Sequence, residues 1–190
     1  ILKGCHYKGG FDCVAIYLRN NPESRFFSKK GLILGGSHSP SPLNSEAHQG
    51  DLSAVLLQNL NPLVNLIRVP KKPIILMDEW ESKIKAIVEN TWNKDVNSLS
   101  GVPSWMLVLI KAVLKKTGRE YLTDVWPNLE VFFHGGISFE PYREQYKTLI
   151  PSNKMHYMET YNASEGFFGL QDDPTDPSFC LLYTSPSPRD

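Results

Sequence analysis

The sequence lacks a long apolar stretch and an excess of either charge. Its longest apolar candidate, residues 105–114, is half as long as the roughly 20 residues that a transmembrane helix needs, and it contains Lys111. Twenty Lys and Arg residues balance twenty Asp and Glu residues, so the formal net charge is zero. We therefore expect neither a membrane nor a nucleic acid as a partner.

Cysteine is scarce as well, with only Cys5, Cys13 and Cys180 present. A small, odd number of cysteines favours a reducing, cytoplasmic compartment over the oxidising one in which secreted proteins form disulfides. A secretory signal and an initiator methionine are both missing, and the chain opens at Ile1 as if in mid-sequence, which predicts a fragment. The 190 residues, 41% of them hydrophobic and 21% charged, are enough for one globular domain.

Short apolar runs alternate with helical patterns, which predicts an α/β fold whose ligands bind beyond the carboxyl ends of the strands. Strands are predicted over residues 31–35, 96–99, 129–134 and 155–161, with another starting at 167, and residues 74–77 form a second short apolar run. Helices are predicted over residues 51–60 (capped by Asp51), 78–92, 141–149, and from Pro103 to a stop at Gly118.

Two of these helices carry clear apolar patterns. The helix over residues 78–92 is amphipathic, which predicts that one face packs and that Lys83, among other charged residues, faces outward. The helix that begins at Pro103 is apolar nearly all round and is therefore predicted to lie buried between layers.

The strongest local motif follows the strand over residues 155–161. An aromatic ring, a hydroxyl, a carboxylate and a glycine lie within one turn, at Tyr161, Ser164, Glu165 and Gly166. An aromatic ring can stack on a nucleobase, a hydroxyl can donate to a phosphate, and a carboxylate is a hard ligand for Mg²⁺. The structural alternative is a plain turn between strands, in which Asn162 and Ser164 satisfy backbone groups and Glu165 is solvated.

Two weaker motifs also follow predicted strands. Paired glycines let a ligand approach the backbone after His134, although a tight turn explains them equally well. His134 itself is more typical of a core or rim histidine than of a catalytic base. Residues 100–106 (SGVPSWM) bring a large indole to a helix start, which suits the wall of a pocket for an organic acid, with core packing as the alternative for Met106.

Other sites are not expected. His38 and His48 lie in a polar loop with no adjacent cysteine, which argues against zinc. Residues 35–38 (GGSH) do not have the spacing of a phosphate-binding P-loop, and no G-x-S-x-G motif occurs. A serine hydrolase that uses Ser164 stays open but has no evident His–Asp partner.

Together, four segments resemble a known family. They are HYKGG at residues 6–10, SGVPSW at 100–105, WPNLEVFFHGG at 126–136 and ETYNASEGFF at 159–168. The chain resembles the bacterial members of the Gretchen Hagen (auxin-responsive promoter) family of acyl-acid–amido synthetases, within the adenylate-forming superfamily. This resemblance implies part of the large adenylate-forming domain, with a mixed β-sheet and flanking helices. It also implies ATP-dependent activation of a carboxylic acid and transfer of the acyl group to an amine such as an amino acid.

The resemblance also implies residue roles. Tyr161, Asn162 and Ala163 would lie against ATP or AMP, with Gly135 and Gly136 as the adenine-side wall. Ser164 would contact the α-phosphate, and Glu165 would ligate Mg²⁺, so these two are the expected catalytic residues. The acyl pocket would be bordered by Val102, Pro103, Trp105, Met106 and His134. Asn162 stands where the wider superfamily commonly has a small residue.

Residues 1–178 are expected to be a fragment of the adenylate-forming N-terminal domain. The family's phosphate loop would precede Ile1, and its ribose-binding aspartate, hinge and C-terminal domain would follow Phe179. Residues 179–190, which end in the Pro/Ser-rich TSPSPRD, are interpreted as a non-native or read-through tail.

The 190-residue chain is expected to be catalytically inactive, because the phosphate-binding amides and the cation of the mobile domain would be missing. The measurement is ATP–pyrophosphate exchange with the purified chain. Robust exchange would overturn the expectation.

Two other functions remain open at this point. One is an adenylating ligase that transfers the acyl group to coenzyme A, which acceptor assays of the full-length protein would distinguish. The other is a non-catalytic nucleotide-binding module, which predicts that Glu165→Gln is tolerated.

Overall fold

The computed structural model describes residues 2–40, 48–173 and 180–181, and these form a mixed β-sheet flanked by helices, which confirms the predicted fold class. The strands are β1 (Lys30–Leu34), β2 (His38–Pro40), β3 (His48–Gly50), β4 (Arg68–Val69), β5 (Val96–Gly101), β6 (Val131–Gly135), β7 (His156–Ala163), β8 (Gly166–Leu170) and β9 (Cys180–Leu181). The α-helices are α1 (Lys8–Asn20), α2 (Leu52–Gln58), α3 (Lys72–Ile75), α4 (Trp80–Thr91), α5 (Pro103–Thr117), α6 (Leu122–Val125) and α7 (Arg143–Leu149). A π-helix covers Leu2–Tyr7, and 3₁₀ turns cover Phe26–Ser28, Pro62–Leu66 and Glu140–Tyr142.

The main sheet has the strand order β4-β1-β5-β6-β7-β8-β9. Strands β4, β1, β5, β6 and β7 run parallel, and β8 and β9 continue the sheet in antiparallel orientation. Strands β2 and β3 pair separately as a short antiparallel ladder. The carboxyl ends of β1, β5, β6 and β7 therefore meet at one edge of the main sheet, called the carboxyl edge below.

Helices cover both faces of the sheet. Alternate side chains of each strand point to opposite faces, and the helices on each side pack against one set of them. Leu32, Leu99 and Phe132 point to one face and belong to the main core, which also contains the buried residues of α4 and α5. On the opposite face, Phe133 lies against Tyr17 of α1, with their ring centroids 5.7 Å apart. Helices α2 and α3 cover Ile33 on that same face.

Helix α5 begins and ends as its sequence predicts. Pro103 occupies the first turn, and Gly118 follows the last turn in the left-handed conformation (φ 66°) that favours glycine. One face of the helix lies in the main core, but Trp105 and Val108 are 39% and 46% exposed, and Lys111 and Lys115 are exposed along the same side of the helix. The prediction that this helix lies buried between layers is therefore wrong on its exposed side.

The prediction for Lys83 is wrong. Its side chain is 2% exposed, and its ammonium donates hydrogen bonds to two backbone carbonyls that follow β1. The rest of α4 follows the predicted stripe, with Ile84, Ile87 and Val88 in the main core. The helical period identified the packing face, but it could not show that a distant strand ends beside Lys83.

Two further local patterns take a different form in the structure. The short apolar run at residues 74–77, noted in the sequence beside the predicted strands, overlaps the short helix α3 (Lys72–Ile75), which has proline in its first turn. Asp51 does occupy the position before α2, but its carboxylate makes no capping bond to the helix. Among the described residues, the parallel edge strand is β4, which has only two residues and was not predicted.

Several predictions concern residues outside those described. Residues 179 and 182–190 of the predicted tail belong to this group, whereas Cys180–Leu181 pair with β8 as β9. The backbones of His38 and His48 lie in β2 and β3, but their side chains are not described. Within the described ranges, every helix is too short or too polar to cross a bilayer.

Candidate functional site

The carboxyl edge brings the three predicted motifs together. The Cα atoms of Leu34, Gly101, His134 and Glu159 are successive pairing partners across β1, β5, β6 and β7. Strand β5 then leads into Val102 and α5, and β6 leads into Gly136. Motifs that are separated by about 30 residues in sequence thus become neighbours because the parallel strands that precede them are adjacent.

The motif over residues 161–166 forms the tip of a β-hairpin. Ala163 pairs with Gly166, so Ser164 and Glu165 are the two residues that connect β7 to β8. The last residue of β6 pairs with Thr160, so residues 161–163 of β7 extend beyond the end of β6. The hairpin tip therefore projects past the carboxyl edge.

The side chains at this tip are accessible. Tyr161 is 53% exposed, and its ring lies 5.6 Å from that of Phe168, tilted by 36°. Ser164 and Glu165 are also exposed. Within the described part of the chain, the side chains of Asn162, Ser164 and Glu165 have no hydrogen-bonding partner. The alternative in which Asn162 and Ser164 satisfy backbone groups is not seen, although solvation of Glu165 is.

Gly135 allows a close approach between β6 and β7. A Cβ atom at this position would overlap the Thr160 carbonyl oxygen. The Thr160 hydroxyl in turn donates to the His134 carbonyl oxygen at 3.1 Å. Gly136 follows with φ +84°, a left-handed conformation that favours glycine, and it is exposed. The two glycines therefore shape the edge beside the hairpin through their backbone.

The predicted acid-side residues lie at the start of α5. Gly136 and Val102 are neighbours, since a Cβ atom on Gly136 would lie 3.5 Å from the Val102 side chain. Trp105 packs on Trp80 of α4, with the indole centroids 5.6 Å apart and the ring planes at 57°. Met106 is fully buried, as its core-packing alternative anticipates. Trp80 was not identified from the sequence, where it counted only as part of the packing stripe of its helix.

His134 is a buried histidine in an aromatic cluster. Its side chain is 2% exposed and stacks on Phe139, with the ring centroids 4.2 Å apart. Burial lowers the pKa of His134 to about 3, with a smaller contribution from the Arg143 charge. Its Nδ1 atom has no hydrogen-bonding partner among the described residues. The ring is therefore neutral at physiological pH, and the core interpretation fits it better than that of a catalytic base.

Acid is expected to destabilise the fold through His134. Because the folded protein binds this proton more weakly than the unfolded chain does, stability falls as the pH drops from about 6.5 toward 3, by about 1.4 kcal/mol per pH unit. When the free energy of unfolding is measured with urea at pH values from 7 to 4, the His134→Leu variant should lose this part of its dependence on pH. The same dependence on pH in the variant as in the wild type would contradict the low pKa of His134.

The N-terminal segment also packs near the hairpin. The Phe167 amide donates to the Cys5 Sγ at 3.2 Å, and the Tyr7 hydroxyl donates to the Leu56 carbonyl of α2 at 3.0 Å. His6, between them in sequence, is 4% exposed, and neither ring nitrogen has a partner within the described ranges. The sequence motif HYKGG contains this residue, but its pattern alone gave no reason to expect burial.

The opposite edge of the sheet also carries a cavity. It has a volume of about 600 Å³ and lies between the end of α5, the end of α4 and the residues before β5, lined by Trp92, Lys94, Asp95, Arg119, Asp124 and Asn128 among others. None of the predicted site residues borders it. In the described ranges, no group of three or more His, Cys, Asp or Glu side chains could hold a metal ion.

Comparisons with known proteins agree with this architecture. Residues 4–155 match the family model described as the GH3 family N-terminal domain. A comparison with curated protein sequences gave no match.

Among solved structures, 18 chains match. One of them is a GH3.15 acyl acid amido synthetase, with a TM-score of 0.63 and 13% sequence identity. The match covers 86% of this chain and 39% of that chain, so the present chain spans well under half of the synthetase. At this identity, the likeness shows a shared fold.

Proposed function

The chain belongs to the GH3 family, and from that premise we propose that it forms part of the ATP- and acid-binding domain of an acyl-acid amido synthetase. The full-length protein would contain this segment, with residues 1–178 inside the adenylate-forming domain. The family match supports the class of ligase, and the carboxyl edge supports the place of its site.

The proposed reaction has two steps. A carboxylate oxygen of the acid attacks the α-phosphorus of ATP, the bond to the bridging oxygen breaks, and pyrophosphate leaves. The amine nitrogen of the acceptor, such as an amino acid, then attacks the acyl carbon. AMP leaves, the amine gives up a proton, and an amide remains.

The hairpin tip would bind the nucleotide. The exposed ring of Tyr161 can stack on adenine, and the Ser164 hydroxyl can donate to an α-phosphate oxygen. Gly135 and Gly136 offer backbone without side chains on the neighbouring strand, where the base can approach closely. Asn162 and Ala163, which lie between Tyr161 and Ser164 in the sequence, would complete the surface that faces the nucleotide.

Glu165 suits the magnesium that accompanies ATP. Its carboxylate is exposed and has no partner among the described residues, and Mg²⁺ typically takes one or two carboxylates together with substrate phosphates. When bound, the ion would neutralise phosphate charge and orient the phosphates. Glu165 would hold that charge at the tip of the hairpin.

The acid would lie on the α5 side of the same edge. Val102, which lies next to Gly136, and the exposed Trp105 supply apolar surface there, whereas Pro103 between them is buried. Met106 and His134 are buried, so they would shape the floor of this region from beneath. The resulting order across the edge is acid near β5 and nucleotide near β7.

A single observation carries the proposal: an exposed aromatic ring, hydroxyl and carboxylate project together beyond the parallel strands. The test incubates the full-length protein with Mg-ATP, a panel of carboxylic acids, and either amino acids or coenzyme A. We expect AMP, pyrophosphate and an amide. A thioester would show the acyl-CoA alternative instead, and the absence of any acid-dependent pyrophosphate release would contradict adenylation.

A further inference from the structure

The buried ammonium of Lys83 joins α4 to the end of β1. Its Nζ donates to the Gly35 carbonyl oxygen at 2.7 Å and to the Gly36 carbonyl oxygen at 3.0 Å. A buried charge is costly unless its hydrogen bonds are satisfied, so a lysine at this position needs these acceptors. Burial lowers the pKa of Lys83, and the negative charges of Asp51 and Asp78 partly oppose that effect.

The same turn is also held from α2. The Ser53 hydroxyl accepts a hydrogen bond from the Gly36 amide at 2.8 Å, and the Asp51 carboxylate accepts one from the Ser37 amide at 3.4 Å. Asp51 lies so close that a Cβ atom on Gly36 would overlap it. The segment from Gly35 to Ser37 is thus fixed on both sides, by α4 and by α2.

This turn lies on the acid side of the proposed site. The Cα of Leu34 pairs with Gly101, which directly precedes Val102 and Pro103. Strand β1 is separated from the hairpin strand β7 by both β5 and β6. A displacement of the Gly35–Gly36 backbone would therefore reach the acid-side residues before the nucleotide-side residues.

We propose that Lys83 is a positioning residue for the acid-side wall, acting through the two carbonyls of the Gly35–Gly36 turn. This inference rests on the proposed function. Lys83 does not touch the reacting atoms; it sets the backbone beside which the acid binds. Lys83 would affect the binding of one substrate, the acid, whereas a general contribution to folding would affect both substrates.

The test compares Lys83→Met with Lys85→Met in the full-length protein. Lys85 lies on the same helix but is exposed, so it is a matched control. For Lys83→Met we expect the KM for the acid to rise on the order of tenfold or more, with the KM for ATP and kcat changed by less than about threefold. Lys85→Met should behave as wild type. An unchanged acid KM, or equal losses with both substrates, overturns the proposal.

Hydrogen exchange in the 190-residue chain tests the structural half of the proposal without any activity. Exchange at the Gly36 and Ser37 amides should accelerate in Lys83→Met while amides in the middle of α5 stay protected, and unchanged exchange at the turn overturns the proposal.

If Lys83→Met does not fold, Ser53→Ala decides, because it loosens the same turn. A higher acid KM in that variant supports the proposal, and an unchanged one overturns it. A wild-type protein that adenylates no acid contradicts the proposed function, whereas the exchange result still decides whether Lys83 fixes the turn.

Discussion

Replacing Glu165 with glutamine in the full-length protein should lower kcat for adenylation on the order of 100- to 1,000-fold. Glutamine keeps the size and polarity of the side chain but removes the charge that would hold magnesium at the hairpin tip. Because Tyr161 and Ser164 remain, the Kd for ATP should change by less than about threefold. Acid-dependent pyrophosphate release and equilibrium ATP binding measure the two quantities.

Glu23→Gln is the matched control for this prediction. Glu23 is also an exposed glutamate, but it lies in the turn between α1 and β1, away from the carboxyl edge. This variant should keep wild-type adenylation. If Glu165→Gln also kept it, the hairpin would not supply the metal ligand, and a non-catalytic nucleotide-binding module would become the better interpretation.

The second large effect concerns stability. Phe132→Ala should lower the free energy of unfolding by about 3–5 kcal/mol, a large part of the roughly 5–15 kcal/mol that stabilises a typical domain. Phe132 is fully buried at the centre of the sheet, and its ring stacks on Tyr146 with centroids 5.2 Å apart. Truncation would leave a cavity beneath His134 and Phe139. Urea unfolding of the 190-residue chain measures the change.

Phe11→Ala provides the comparison, since Phe11 is 65% exposed on α1. Its removal should change the free energy of unfolding by less than about 0.5 kcal/mol. Equal effects of the two substitutions would mean that the core does not lie where the structure has it.

Features that depend on local pattern were predictable from the sequence. Proline at the start of α5 and glycine after its end mark boundaries by their own backbone preferences, whatever surrounds them. The gathering of the motifs at the carboxyl edge was also predictable, because adjacent parallel strands carry the residues that follow them to one edge. The hairpin motif and Gly135–Gly136 meet there for that reason.

Features that depend on distant partners were not predictable. Lys83 is charged and flanked by other charged residues, so its helix predicts an outward position. It is buried because β1, about 50 residues earlier, ends beside it and offers two carbonyl acceptors. Trp80 joins Trp105 through the packing of α4 on α5, which no local pattern encodes. The core or rim position of His134 was predicted, but its stacking partner Phe139 was not.

The proposed function depends most directly on the binding of magnesium-bound ATP at the hairpin tip. Nuclear magnetic resonance of the 190-residue chain, titrated with millimolar-range Mg-ATP, tests this without requiring turnover. We expect amide shifts to concentrate at Tyr161, Ser164, Glu165 and Gly136, and we expect Tyr161→Ala to weaken them. Shifts confined to the cavity between Trp92 and Asn128, with the hairpin tip unchanged, would contradict the proposed function.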